Sequence, residues 1–320
     1  ANDNIAIGQY ASHRTGQYIA ATNTIAIGRF SGYFNQGSYN VFMGYYAGYG
    51  SSAGANSPGV SNVGIGSSAL QSFISGSQNT AVGRHALLSN IDGSDSTAFG
   101  QQAGAYTTGS YNTFVGSKAG HGVNNHPVHS SGENNVAVGY EALKGFTTGK
   151  RNVAIGYQAA VASTTARDNV IIGYEAGHDI TSTVEAVIIG AYAGSKLNSA
   201  DANGTIVIGM NALSTATDAI RNVMIGYEAG VKLKTDDNIG IGFRAMRNIG
   251  DTAGSNHGEF NIAIGTFALG GGDSSTYANN TAYKNIAIGY ATLNGATTAM
   301  TAYENVAIGF AAMNAARESI

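Results

Sequence analysis

The sequence predicts an all-β chain wound as a parallel β-solenoid, a β-roll of about 17 coils, and three observations carry that prediction. The stretch Asn4-Ile5-Ala6-Ile7-Gly8 recurs down the whole chain, with its last glycine at Gly8, Gly28, Gly44, Gly66, Gly83, Gly100, Gly116, Gly139, Gly156, Gly173, Gly190, Gly209, Gly226, Gly242, Gly265, Gly289 and Gly309. Glycine makes up 46 of 320 residues, about twice the ordinary share, while charged residues stand at 11%, less than half the usual fraction. Leucine occurs only 9 times, and Ile and Val, which suit pleated strands, supply the branched apolar side chains instead.

Most intervals between repeat glycines are 16 or 17 residues, with longer ones of 22, 23, 23 and 24 after Gly44, Gly116, Gly242 and Gly265. Such a unit is too short for a strand-helix-strand crossover but long enough for two strands of about five residues and two tight turns. At a strand spacing of ~4.8 Å, stacking puts like positions in ladders and makes a rod of roughly 80 Å. Residues 1–320 therefore read as one repeat domain, a segment of a longer chain, with lateral insertions at 49–61, 120–133, 248–259 and 270–283.

Within the unit, each position has its own chemistry. Three residues before the glycine (position −3) stands a β-branched residue in every coil, Thr80, Thr97 and Thr113 or else Val or Ile. Position −1 is Ile in twelve coils and Val82, Val115, Val138, Met43 or Phe99 in the others. Position −2, mostly Ala, becomes Phe42, Gly64, Phe114, Ile171, Ile188, Val207, Met224 or Gly240 and is never polar. Both faces of this strand are thus expected to be buried, since side chains alternate along it. The more uniform columns, −3 and −1, are assigned to the coil interior and −2 to a contact between chains. Asn at −4 in thirteen coils predicts an amide ladder, with Thr24, Ser96, Ala186 and Thr205 as exceptions. Ala at +3 in fifteen coils, replaced by Ser31 and Thr292, predicts close packing at the turn.

A narrow coil has one inside, so a strand apolar on both faces calls for a partner, and parallel copies around a common axis supply it. The alternative, a lateral sheet from the same chain, lacks a non-repeat segment long enough to build it. The motif N-[IV]-A-I-G-x-x-A, as in Asn4 to Ala11, Asn152 to Ala159, Asn261 to Ala268 and Asn305 to Ala312, resembles the head repeat of trimeric autotransporter adhesins and the repeats of many bacteriophage tail fibres. That resemblance implies a left-handed parallel β-roll and a homotrimer with a threefold axis. The chain departs from the adhesin pattern in favouring Ala over Ser, in its longer unit and in lacking a neck or coiled-coil stalk, which tilts the expectation toward a tail fibre. The expected role is a structural shaft or receptor-facing segment mediating host-cell attachment. The alternative is the head of a bacterial adhesin binding host matrix or glycan, and a tail-spike hydrolase is a third class.

Other features are weaker. With no cysteine there is no disulfide frame or thiolate metal site, and a net charge of −3 without basic runs gives no footprint for nucleic acid or a membrane surface. No apolar run approaches the ~18 residues of a membrane span. Gly50-Ser51-Ser52-Ala53-Gly54 matches a nucleophile elbow only formally, in a Ser/Gly-rich insertion. Gly64-Ile65-Gly66 and Gly240-Ile241-Gly242 mimic a dinucleotide loop but are repeats with Gly at −2. His121, His126 and His129 share one insertion, where an exposed loop is favoured over a metal site. Asp236-Asp237 and Asp92/Asp95 read as solvated turns rather than acid/base pairs. Aromatic residues at +1 or +2 in twelve coils read as a ring ladder, with a glycan-contacting stripe as the alternative. No catalytic residue and no cofactor is expected. The expected partners are the chain itself, other fibre or tail proteins and a host cell-surface glycan or protein, in an extracellular setting, a virion tail fibre or alternatively a bacterial outer surface. Candidate receptor contacts on the insertions are Tyr49, His121, His126, His129, His257 and Tyr277.

Overall fold

A computed structural model describes residues 3–13, 21–50, 57–124, 129–197, 203–217, 219–233, 235–249, 258–270, 281–295 and 301–314. The chain forms two compact units, residues 1–165 and 166–320. The first carries β1 (Ile5–Ile7), β2 (Ile25–Ile27), β3 (Val41–Met43), β4 (Val63–Ile65), β5 (Thr80–Val82), β6 (Thr97–Phe99), β7 (Thr113–Val115), β8 (Val136–Val138) and β9 (Val153–Ile155). The second carries β10 (Val170–Ile172), β11 (Val187–Ile189), β12 (Ile206–Ile208), β13 (Val223–Ile225), β14 (Ile239–Ile241), β15 (Ile262–Ile264), β16 (Thr281–Tyr283), β17 (Ile286–Ile288), β18 (Thr301–Tyr303) and β19 (Val306–Ile308). Within each unit the repeat strands pair in parallel with no slip, so that Val41 meets Val63, Phe42 meets Gly64 and Met43 meets Ile65. No helix occurs among the described residues. The all-β parallel solenoid expected from the repeat is the architecture formed.

The expectation of two five-residue strands per coil is corrected. Each repeat strand has three residues, and away from it neighbouring coils meet through isolated bridges such as Asn35 with Ser57 and Arg167 with Val184, or through the short pair β16 and β18. The reason lies in the backbone after the glycine. Each repeat glycine has φ between 124° and 143°, and the residues at +2 and +4 lie in the left-handed region, as do His85 (59°) and Leu87 (46°). These reversals point successive amides up and down the stack. The His85 N–H donates to the Ser67 carbonyl of the coil before, and the Leu87 N–H to the Ala103 carbonyl of the coil after, both at 2.9 Å. Turn amides are thereby satisfied between coils, which offsets the ~1–2 kcal/mol that a left-handed non-glycine residue costs.

The repeat glycine is required twice over. Its φ disfavours any L side chain, and a Cβ on Gly83 would lie 2.4 Å from the Gly100 carbonyl oxygen. On the other side of the strand the predicted amide ladder is present and buried. Asn40 Oδ1 accepts the Asn62 N–H at 2.7 Å, Asn62 Oδ1 accepts the Asn79 N–H at 3.0 Å, and Asn79 Nδ2 donates to the Gly93 carbonyl at 2.8 Å. The same rung recurs in the second unit, where Asn261 N–H donates to Asn238 Oδ1 at 3.0 Å. The exceptions keep part of the chemistry: Ser96 Oγ accepts the Asn112 N–H at 3.2 Å, and Thr205 Oγ1 donates to the Ala219 carbonyl at 3.2 Å.

The interior assignment of the strand is the reverse of that expected. Position −2 points into the coil, with Phe42, Ala81, Ala98, Phe114, Ala137, Ala154, Ile188 and Met224 all fully buried. Positions −3 and −1 point outward and are half-buried or exposed in every described coil. The interior column varies because the interior is filled jointly. Leu70, Leu87, Leu143, Leu213 and Met246 at +4, and Phe73, Phe146, Ile180, Leu197 and Leu233 at +7, share it with −2 and with the small +3 residues. Where −2 is Phe, Ile or Met, +4 is glycine: Phe42 with Gly48, Phe114 with Gly120, Ile171 with Gly177, Ile188 with Gly194 and Met224 with Gly230, whereas Val207 is paired with Leu213. Where −2 is Ala or Gly, +4 is Leu or Met in most coils, as in Ala137 with Leu143 and Gly240 with Met246. The fit is tight, since a Cβ on Gly120 would stand 2.1 Å from the Phe114 ring and one on Gly194 would stand 3.3 Å from Ile188.

This shared volume makes a paired prediction. Gly194→Leu alone overpacks the coil and costs on the order of 1–3 kcal/mol, and Ile188→Ala alone leaves a cavity costing about 2–5 kcal/mol. The double variant rebuilds the Ala and Leu pairing of other coils. Its melting temperature in circular dichroism is expected to lie above that of either single variant; an additive loss would show that the two positions do not share space.

Candidate interaction surface

The outward side of the repeat strands is the most distinctive surface of the chain. Alternation along β1 to β9 and along β10 to β15, β17 and β19 brings the −3 and −1 side chains into two parallel columns, β-branched except for Met43 and Phe99 and apolar except for Thr80, Thr97 and Thr113. Even within the stack these side chains stay accessible, with Met43 38% and Phe99 58% exposed while Phe42 between the columns is fully buried. Single exposed apolar residues are ordinary, but contiguous apolar patches beyond a few hundred Å² mark a contact surface.

Beside the columns run the rings at +1 and +2. They stack from coil to coil: Tyr10 on Phe30 at 5.1 Å, Phe30 on Tyr46 at 5.0 Å, Tyr140 on Tyr157 at 5.4 Å, Tyr227 on Phe243 at 5.3 Å and Tyr290 on Phe310 at 5.2 Å. Each such pair contributes about 0.5–1.5 kcal/mol beyond its buried area. The ring ladder read from the sequence is thus formed, with other neighbours such as Tyr174 and Tyr192 meeting edge to face at 5.2 Å, and the rings keep exposed surface, 41% for Tyr140 and 48% for Tyr290.

Some charged +2 residues form ionic rungs. Glu141 accepts from Lys118 Nζ at 3.3 Å, Lys144 Nζ at 2.9 Å and Gln158 Nε2 at 3.0 Å. Burial pushes its carboxyl up, but the hydrogen bonds from Gln158, Lys144 and Lys118 and the lysine charges outweigh it and hold the group at about 2. In the second unit Glu228 Oε2 accepts from Arg244 Nε at 2.8 Å and forms an ion pair with Arg247, whose Nε lies 2.9 Å away.

The predicted contact residues divide. Tyr49 is half-buried in an aromatic group, stacked on Tyr33 at 5.4 Å and 4.8 Å from Tyr46, and burial followed by the Tyr33 charge raises its hydroxyl pKa. His121 and His129 are brought together by Tyr106, at 5.3 and 5.9 Å. Burial lowers the His121 pKa, and Lys144 and Lys118 add to the effect against two backbone hydrogen bonds. His126, His257 and Tyr277 lie outside the described residues, as do Ser51 to Gly54 of the formal nucleophile elbow and parts of all four insertions. Among the described residues no group of three or more His, Cys, Asp or Glu could hold a metal ion, and no helix is long and apolar enough to cross a membrane.

The remaining motifs resolve into solenoid packing. Asp92 accepts from Ser75 at 2.7 Å, Asp236 accepts the Ile220 N–H at 2.9 Å, and Asp237 takes two bonds from Arg221 at 2.7 Å, so each carboxylate serves a rung between coils. Gly64 and Gly240 make room for neighbours, since a Cβ there would lie 3.1 Å from Phe42 and 2.7 Å from the Met224 sulfur. Sequence reasoning missed this coupling between coils. Its signal was visible, because each of these glycines follows a large −2 residue by one coil.

Compared with protein-family models and with curated proteins, the chain matches none.

The depressed Glu141 pKa sets a pH dependence. A carboxylate held at about 2 in the fold, against an ordinary 4.5, lends stability that is complete above about 5 and lost as pH falls toward 2. Glu141→Gln is expected to flatten the fall in melting temperature between pH 5 and pH 2, and an unchanged slope would show that the rung contributes nothing.

Proposed function

We propose that this chain is a structural fibre protein that works as a parallel homotrimer, the shaft or receptor-facing segment of an extracellular tail fibre mediating host attachment. The observation that carries the reading is the pair of outward apolar columns. They repeat at every coil, and in a single chain they stand open to water while the interior is already complete. Burying them against further copies gains roughly 25 cal/mol per Å² of apolar surface. Closed cyclic symmetry lets identical columns meet one another, and the resemblance of the repeat to adhesin heads and phage fibres supplies the threefold axis. The role follows from mechanics: hydrogen-bonded ladders resist extension, chain-chain burial resists dissociation, and three copies of any surface contact give avidity. Its further partners are other fibre or tail proteins and a host surface glycan or protein, met through insertion loops such as those bearing Tyr49 and His121.

Light scattering of the full chain is expected to give about three times the 32.6 kDa chain mass. Ile155→Asp, which places a charge in the outward −1 column, is expected to lower the mass to that of one chain while far-ultraviolet circular dichroism persists. Lys150→Asp, at an exposed position outside the outward columns, leaves the mass unchanged. A folded wild-type monomer, or an Ile155→Asp chain that still assembles, overturns the reading.

A further inference from the structure

Asparagine chemistry differs from place to place in this chain. The −4 asparagines carry their carboxamides in the ladder, and each is followed by the β-branched −3 residue, which crowds the next backbone nitrogen. Only Asn203 and Asn294 precede a glycine. Asn294 is half-buried, and its Oδ1 is shut off from water. Asn203 and Gly204 instead form an exposed turn immediately ahead of Thr205 and β12. Gly204 is the one glycine at −5, where every other coil carries a side chain. Its φ is 67°, and a Cβ there would meet no described atom within 4 Å, so packing does not hold this glycine in place. Around it lies a cleft of about 430 Å³ lined by Glu185, Asn203, Gly204, Ile220 and Arg221.

The two groups that can react with each other both fold back on one residue of the preceding coil. The Val184 N–H donates to Asn203 Oδ1 at 3.2 Å, and the Gly204 N–H donates to the Val184 carbonyl at 3.3 Å. The first bond polarises the carboxamide carbon and can follow the oxygen as charge gathers on it. The second is long beside the 2.8 Å bond from the Ile206 N–H to the Asn222 carbonyl, and it opens onto the cleft and its water. With no side chain at Gly204 to crowd the approach, its nitrogen can reach Asn203 Cγ. We infer that Asn203 is a self-modifying site, converted in the folded chain to isoaspartate and aspartate through a cyclic imide with Gly204. The Gly204 nitrogen gives its proton to solvent base and bonds to Cγ, the Cγ–Nδ2 bond breaks, and Nδ2 leaves as ammonia. Water then opens the imide at either carbonyl, so the sum is one water in and one ammonia out, with no redox change. The product puts a new carboxylate in the cleft with Glu185 and Arg221. In its isoaspartate form it also lengthens the backbone by one methylene just before β12, which pairs in register with β11 and β13.

To test this, the full chain, folded and free of denaturant, is aged at mildly alkaline pH, digested and mapped by mass spectrometry, with isoaspartate read by isoaspartyl methyltransferase labelling. The peptide containing Asn203 is expected to gain acid several-fold faster than the one containing Asn294, with isoaspartate among the products and the ladder asparagines unchanged. Asn203→Gln, whose imide is a larger and slower-closing ring, is expected to remove the signal while circular dichroism stays that of the parent chain. An Asn203 that converts no faster than Asn294, or only once urea has unfolded the chain, overturns the inference. Acid at this position without isoaspartate overturns it too, because direct hydrolysis of the side chain yields aspartate alone.

Discussion

The described coils depend on stacking with no slip, so that strand amides and the turn amides at +2 find their partners in a neighbouring coil. The repeat glycine enforces that condition. Its carbonyl sits where a Cβ of the preceding coil's glycine would be, at 2.2–2.9 Å where another repeat glycine follows, so the close approach exists only because the side chain is absent. Once coils are this close, the left-handed residues at +2 and +4 can aim their amides along the stack, and the three-residue strand can be short without leaving its ends unsatisfied. The buried asparagines extend the same logic to side chains, each carboxamide accepting from one coil and donating within the turn of another.

Close stacking also decides how the interior is filled. A coil this thin has no room for redundancy, so a large side chain in one column is matched by a glycine in another, within the coil or in the next. Phe42 is the clearest case, since Gly48 in its own coil and Gly64 in the following one both stand against its ring. Conservation of volume is therefore a property of the stack, and no single column displays it.

The outward columns obey a different rule. Among the described residues nothing covers them, and their demand is flatness and β-branching, which Ile and Val satisfy at almost every level. Polar rungs such as Glu141 with Lys118, and the stacked rings, run beside them and lend stability along the stack. The result is a packed interior and, among the described residues, two outward columns that are apolar at almost every coil.

The sequence by itself determined the period, the position of the strand, the obligatory glycine, the amide ladder and the ring ladder, because each rests on one residue type recurring at one position. It also established that −3 and −1 share a face opposite −2, since alternation along a strand leaves no other arrangement. Which face lies inside was decided only by the tertiary structure. Both faces are apolar, and uniformity pointed to the wrong one: the interior column varies because +4 and +7 compensate it, whereas no described residue does so for the outward columns. The same limit applies to the candidate contacts. Spacing located the insertions, but only folding brought His121 and His129 to Tyr106 and set Tyr49 into an aromatic group, because those neighbours come from different coils and meet through stacking alone.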